Sequence, residues 1–112
     1  MTNVTQTTER IRVLNDNFRS TFIGGTVVMT HGVSELPLDV KAKAVLLVKT
    51  CTDFTKDNDP HGEHDFGYFE LVGQTFFWKI DYYDLHCQYG SEDPSDPEKT
   101  TRVLTLMLAQ EY

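Results

Sequence analysis

From Thr75 to Tyr83 the side chains fall into two alternating sets. Phe76, Trp78, Ile80 and Tyr82 are wholly apolar or aromatic, and they are interleaved with Phe77, Lys79, Asp81 and Tyr83. A period of two belongs to a strand with one face toward a core. Phe66 to Val72 precedes it, with Gly73-Gln74 between the two segments. The sequence therefore predicts a β-hairpin over about residues 66–83 with a Gly73-Gln74 turn. Trp78 and Phe76 are expected inside, and Lys79 outside.

What can pack on that hairpin follows from the remaining periodicities. Residues 1–8 are polar and Thr-rich and read as a frayed start. Ile11, Leu14, Phe18 and Phe22 recur at intervals of three and four, one stripe of an amphipathic helix. Arg10, Arg12, Asp16 and Arg19 are assigned to the rest of its surface, and Gly24-Gly25 to its end. Thr26 to Thr30 is short and β-branched and reads as a strand. His31-Gly32 reads as a turn. Pro37 opens a second helix, with Asp39 in its first turn, Lys49 near its end, and Val40, Ala44, Leu47 and Val48 on its buried side. Asp96-Pro97-Glu98 has the chemistry of a helix start, so a third helix is expected to run toward Glu111 and to bury Val103, Leu106 and Met107, with Leu104 a further candidate. The sum is one α+β domain spanning residues 1–112. Its expected order is α-β-α-β-β-α, a small antiparallel sheet of the hairpin plus one strand, packed by three helices.

Charge divides the chain. Of its 112 residues, 1–52 hold four acids and six bases, while 53–98 hold twelve acids and two bases, Lys56 and Lys79, a net of −10. Such a block disfavours direct nucleic-acid binding, which needs clustered Lys and Arg. It suits a basic partner or a bound cation. The longest apolar run, Ala44 to Val48, is far short of a membrane span. Cys51 and Cys87 have no close spacing and no secretory signal precedes them, so a cytoplasmic location with reduced thiols is expected.

The chemistry-bearing side chains concentrate in two acidic loops. In the first, Asp57, Asp59, His61 and His64 supply oxygen and imidazole ligands. The spacing of Asp57, Asp59 and His61 with Gly62 partly mimics a calcium loop, but Tyr68 stands at the twelfth position, where Glu is needed. The competing account is a turn-rich loop whose Asp and Asn side chains bond their own backbone. Asp81 and Asp84 near His86 and Cys87 offer a second polar cluster, against a plain strand end with solvated acids. No Ser or Cys lies in a nucleophile elbow.

Asn58 to Gly67 (NDPHGEHDFG) and Phe77 to Asp84 (FWKIDYYD inclusive of its first Phe) form long unbroken runs. With Ile11 to Asp16, Tyr89-Gly90-Ser91, Asp93-Pro94 and Arg102 to Ala109, they resemble a bacterial domain-of-unknown-function family (catalogue number three-seven-six-eight). The resemblance covers nearly the whole chain. It implies a setting on plasmids, phages and other mobile elements, and hence a small protein that binds and blocks a host complex.

Two functions are weighed. The first is an acidic protein-binding inhibitor or anti-defence factor (anti-CRISPR or anti-restriction) that blocks a host nucleic-acid-binding complex. Its surface would comprise Asp57, Asp59, Glu63, Asp65, Tyr68, Asp81, Tyr83, Asp84, Tyr89, Glu92 and Asp93, with tyrosines as anchors. Its partner would be a basic host protein or complex, and it would need no cofactor. The second is a small metal-dependent hydrolase or nuclease on the Asp57–Asp65 loop, with Asp57, Asp59, His61 and His64 as ligands.

Overall fold

A computed structural model describes residues 4–112, and side chains from residue 6 onward. The elements are α1 (Val4–Thr21), β1 (Gly25–Met29), α2 (His31–Ser34), α3 (Leu38–Lys49), β2 (Phe66–Leu71), β3 (Gln74–Tyr83) and β4 (Thr101–Leu108), followed by a single 3-10 turn, Ala109–Glu111. The class is α+β, as expected. The expected frayed start is corrected from Val4 on, where α1 already runs, and residues 1–3 lie outside the described ones.

The largest correction concerns the last element. Residues 101–108 form a strand, not a helix, so the order is α-β-α-α-β-β-β. The four strands lie in the order β1-β4-β3-β2. β4 pairs antiparallel with β3 and parallel with β1, which makes the sheet mixed rather than purely antiparallel. The physical reason is visible in the residues. Arg102, Leu104 and Leu106 are buried and alternate with the half-buried Thr101, Val103 and Thr105, a period of two in a β-branched segment. Asp96 does start a local structure, but a turn: its Oδ1 accepts the Glu98 N–H at 2.9 Å, and its carbonyl accepts the Lys99 N–H at 3.1 Å. The same Asx chemistry serves helix caps and turns alike.

Smaller corrections follow the same logic. His31-Gly32 opens the four-residue helix α2, which plugs Val33 fully into the core. At the end of α1 Phe22 takes the left-handed conformation first, with φ of 61°, Gly24 follows at φ of 104°, and Gly25 already belongs to β1. A side chain on Gly25 would strike the Arg102 carbonyl and the Phe18 ring, so glycine is needed there for close approach. The hairpin is present, with Leu71 opposite Gln74, and its two loop residues are Val72 and Gly73, one position earlier than expected. Both have positive φ, 49° and 75°. A two-residue loop of primed type demands this if it is to match the twist of its strands.

The core lies on one face of the sheet. Phe76, Trp78 and Ile80 of β3, with Leu104, Leu106 and Leu108 of β4, pack against Phe18, Val33, Ala44 and Val48 from the helices. Trp78 is fully buried, and Gly67 on the paired strand leaves room for its indole. The opposite face carries Phe77, Lys79, Asp81 and Tyr83 of β3 and Phe66, Tyr68 and Glu70 of β2. The Tyr112 ring meets those of Phe66 and Phe77 edge-on at 6.0 and 5.5 Å. Among the described residues no helix is long and apolar enough to cross a membrane.

Candidate functional site

The loop between α3 and β2 is held by α1. His64 sits at φ of 55°, and its Nδ1 faces the Asp16 carboxylate at 2.9 and 3.1 Å. Its Nε2 lies 3.7 Å from Asp59 Oδ2. The Phe54 ring stacks on the imidazole at 3.8 Å. Beyond it, the buried Arg19 guanidinium lies 5.2 Å from the Phe54 and Trp78 rings and donates to the carbonyls of Val48 and Cys51 at 2.9 and 3.0 Å. Arg19 is thus a cation set against aromatic rings, the Asp16 carboxylate at 3.0 Å and carbonyls at the end of α3. Its assignment to the outer surface of α1 is corrected.

One helical turn earlier, the fully buried Asn15 joins the two halves of the molecule. Its Nδ2 donates to the Glu63 carbonyl at 3.0 Å and to the Tyr82 hydroxyl at 2.9 Å, and its Oδ1 accepts from Arg102 Nε at 2.8 Å. The Tyr82 hydroxyl donates in turn to Glu63 Oε1 at 2.8 Å. Burial, and after it the Glu63 carboxylate, push the Tyr82 phenol upward, while the Asn15 bond pulls the other way. Burial lowers the Arg102 guanidinium. Both polar atoms of Asn15, the Tyr82 hydroxyl and Arg102 Nε have partners inside the protein, so the group fixes the loop rather than presenting chemistry. Asn15 and Arg102 were missed as functional side chains because no local pattern marks two residues 87 positions apart as partners.

Several residues assigned to a partner surface are consumed in the same way. Asp59 is 7 % exposed and accepts the His64 N–H at 3.1 Å. Glu63 serves Tyr82. Asp84 accepts the N–H groups of His86 and Gln88, and Asp93 accepts the Ser95 N–H and hydroxyl. These bonds hold both of those carboxyls below their ordinary values. Glu92 stands 3.7 Å from Lys99 in a separate groove with Asp84 and Glu98, and Tyr89 is 73 % exposed in the loop after β3.

What remains converges. Asp57, Asp65 and Asp81 line one open groove of about 340 Å³ with His61, Lys79 and Tyr112. A second hollow, sharing Lys79, Asp81 and Tyr112 with it, extends along the open sheet face to Tyr83. Tyr68 stands on that face beside Phe77 and is 45 % exposed. Lys79 pairs with Asp81 at 3.0 Å. Asp65 makes no ion pair among the described residues. Burial first, then the neighbouring Glu63, raises its carboxyl above the ordinary range, though His61 in the same groove draws it downward. The candidate metal ligands do not assemble: among the described residues no three or more His, Cys, Asp or Glu side chains form a group able to hold an ion. Asp57 and His61 face the groove, while Asp59 and His64 are bound into the clasp with Asp16.

A family model described as "Protein of unknown function (DUF3768)" matches residues 29–111. No curated protein and no solved structure matches the chain.

Proposed function

The chain belongs to the family described as protein of unknown function (DUF3768), and we propose that it is a protein-binding protein whose acidic groove takes a Lys- or Arg-rich segment of a partner. The observation that carries this reading is Asp65, a half-buried carboxylate that makes no ion pair among the described residues and lines a groove with Asp57 and Asp81. A buried charge is costly unless paired, so an incoming ammonium or guanidinium relieves a cost already present in the free protein. Tyr83, Tyr112 and Phe66 border the same hollows and offer flat apolar bodies for the stem of a long basic side chain.

Chemically, a cluster of carboxylates around one groove occupies the role that phosphates play for a nucleic-acid-binding protein. That supports reading the chain as an inhibitor or adaptor directed at a basic, nucleic-acid-binding host complex. The hydrolase reading has no comparable support, because its four ligands point to two different places.

The test is an NMR titration of the isotope-labelled chain with an arginine-rich peptide. Shifts are expected at Asp57, His61, Asp65, Lys79, Asp81 and Tyr112, unchanged by chelator. Shifts confined to the Asp84–Glu98 groove, or none, would overturn the assignment.

A further inference from the structure

β1 is an edge strand, since only β4 pairs with it. In a parallel pair every second residue turns both its N–H and its C=O toward the neighbour. The Thr30 N–H reaches the Leu106 carbonyl at 3.0 Å, which sets the parity. Thr26 and Val28 therefore bond inward to β4. Gly25, Val27 and Met29 aim their main-chain groups outward, away from the sheet.

Edges of this kind are normally guarded by charged side chains, proline, a bulge or covering chain. Here the guards are missing. No carboxylate occurs between Asp16 and Glu35, and no proline before Pro37. The one Lys or Arg in that stretch, Arg19, is buried against Phe54 and Trp78. Ile23, at the entrance to the strand, is 78 % exposed, and Val28 on the open face is 41 % exposed. The other edge, β2, differs. It carries Glu70, and the segment from Thr50 to Asp53 lies alongside its Tyr68 and Phe69.

The geometry points to a second copy of this chain as the occupant of the β1 edge, paired antiparallel about Val27. In that register Val27 faces its own symmetry mate, and Gly25 faces Met29. All the outward N–H and C=O groups then find partners, and the strand's self-complementarity closes the assembly at two copies. Thr26 of one copy comes beside Val28 of the other on the open face, where the apolar surface of Val28 is covered.

Charge distribution selects the same partner. A chain of net −7 repels its copy at most approaches, and twelve of its seventeen acids sit in residues 53–98. The sheet order puts β1 at the edge farthest from β2, with β4 between it and β3. The dimer joins the two carboxylate-free strands and leaves the acidic grooves facing outward. A five-residue strand buries less than a standard interface, so the association is weak and concentration-dependent. This inference is independent of the proposed function, since the groove residues take no part in it.

Sedimentation equilibrium from about 10 μM to 1 mM, the range of weak associations, tests it. The expected result is a monomer–dimer equilibrium that is abolished in the Thr26→Lys, Val28→Lys double variant, with the melting temperature preserved. Should that variant fold poorly, hydrogen exchange in the unaltered protein decides the matter. The Val27 and Met29 amides should exchange several-fold more slowly at high concentration than at low. A monomer throughout the range, a dimer that survives in the double variant, species larger than two, or exchange independent of concentration would each overturn the proposal.

Discussion

Asp65 and Asn15 show how differently two buried polar side chains can be treated by one fold. Asn15 has a partner for each of its polar atoms, supplied by Glu63, Tyr82 and Arg102. Asp65 is left with a carboxyl raised by burial, then by Glu63, against its own backbone hydrogen bond. A raised value means that the folded chain binds the proton more tightly than the unfolded chain does. Stability therefore falls as pH rises from the ordinary carboxylate value through the raised one. Asp65→Asn is expected to raise the melting temperature at neutral pH, with the gain fading below about pH 3, where the carboxyl is protonated in both states. A variant that melts lower than the parent at neutral pH would show that Asp65 is satisfied in the free protein. The residues of the clasp were only partly readable in the sequence. His64 stood out as a possible ligand, but its partner Asp16 lies 48 positions earlier, a distance at which spacing carries no information.

At the scale of elements, period decided what could be read. The alternation in β3 is long and wholly apolar on one side, so the hairpin and its buried Trp78 were legible. β4 alternates only as far as Leu106 and opens its inner side with Arg102, and it follows an Asp-Pro-Glu signal that suits both a helix cap and a turn, so local chemistry masks the period of two. The parallel pairing of β1 with β4 was illegible for a further reason, because strands 70 or more residues apart leave no local trace of which neighbour they choose. The hairpin loop supplies a test. Val72 is β-branched, 60 % exposed and held at positive φ, a conformation that favours Asn or Gly. Val72→Asn is expected to stabilise the protein by about 1 kcal/mol, read from the midpoint of chemical denaturation. A lower midpoint would mean that the Val72 side chain makes a contact worth more than the backbone strain it causes.

The whole molecule separates its surfaces by charge. Helices cover one face of the sheet, the acidic loop and Tyr112 border a groove beside the other, and the residues of β1 itself include no carboxylate. The acidic block was plain in the sequence, whereas its division was not. Folding turns Asp59, Glu63, Asp84 and Asp93 inward or onto neighbouring backbone, and leaves Asp57, Asp65 and Asp81 together. The central claim, that this trio is the partner-binding surface, is tested most directly by calorimetric titration of an arginine-rich peptide at two salt concentrations. Two variants with the same change in net charge are compared, Asp57→Asn with Asp65→Asn, and Glu92→Gln with Glu98→Gln. Affinity is expected to fall with salt, since screening weakens exposed charge pairs. The first variant should lose about tenfold or more, as expected when a partly desolvated pair is broken. The second should lose only the small amount, about 0.2–1 kcal/mol, that exposed surface pairs contribute. Equal losses in the two variants would contradict the account, because they would mean that the peptide reads net charge and not the groove.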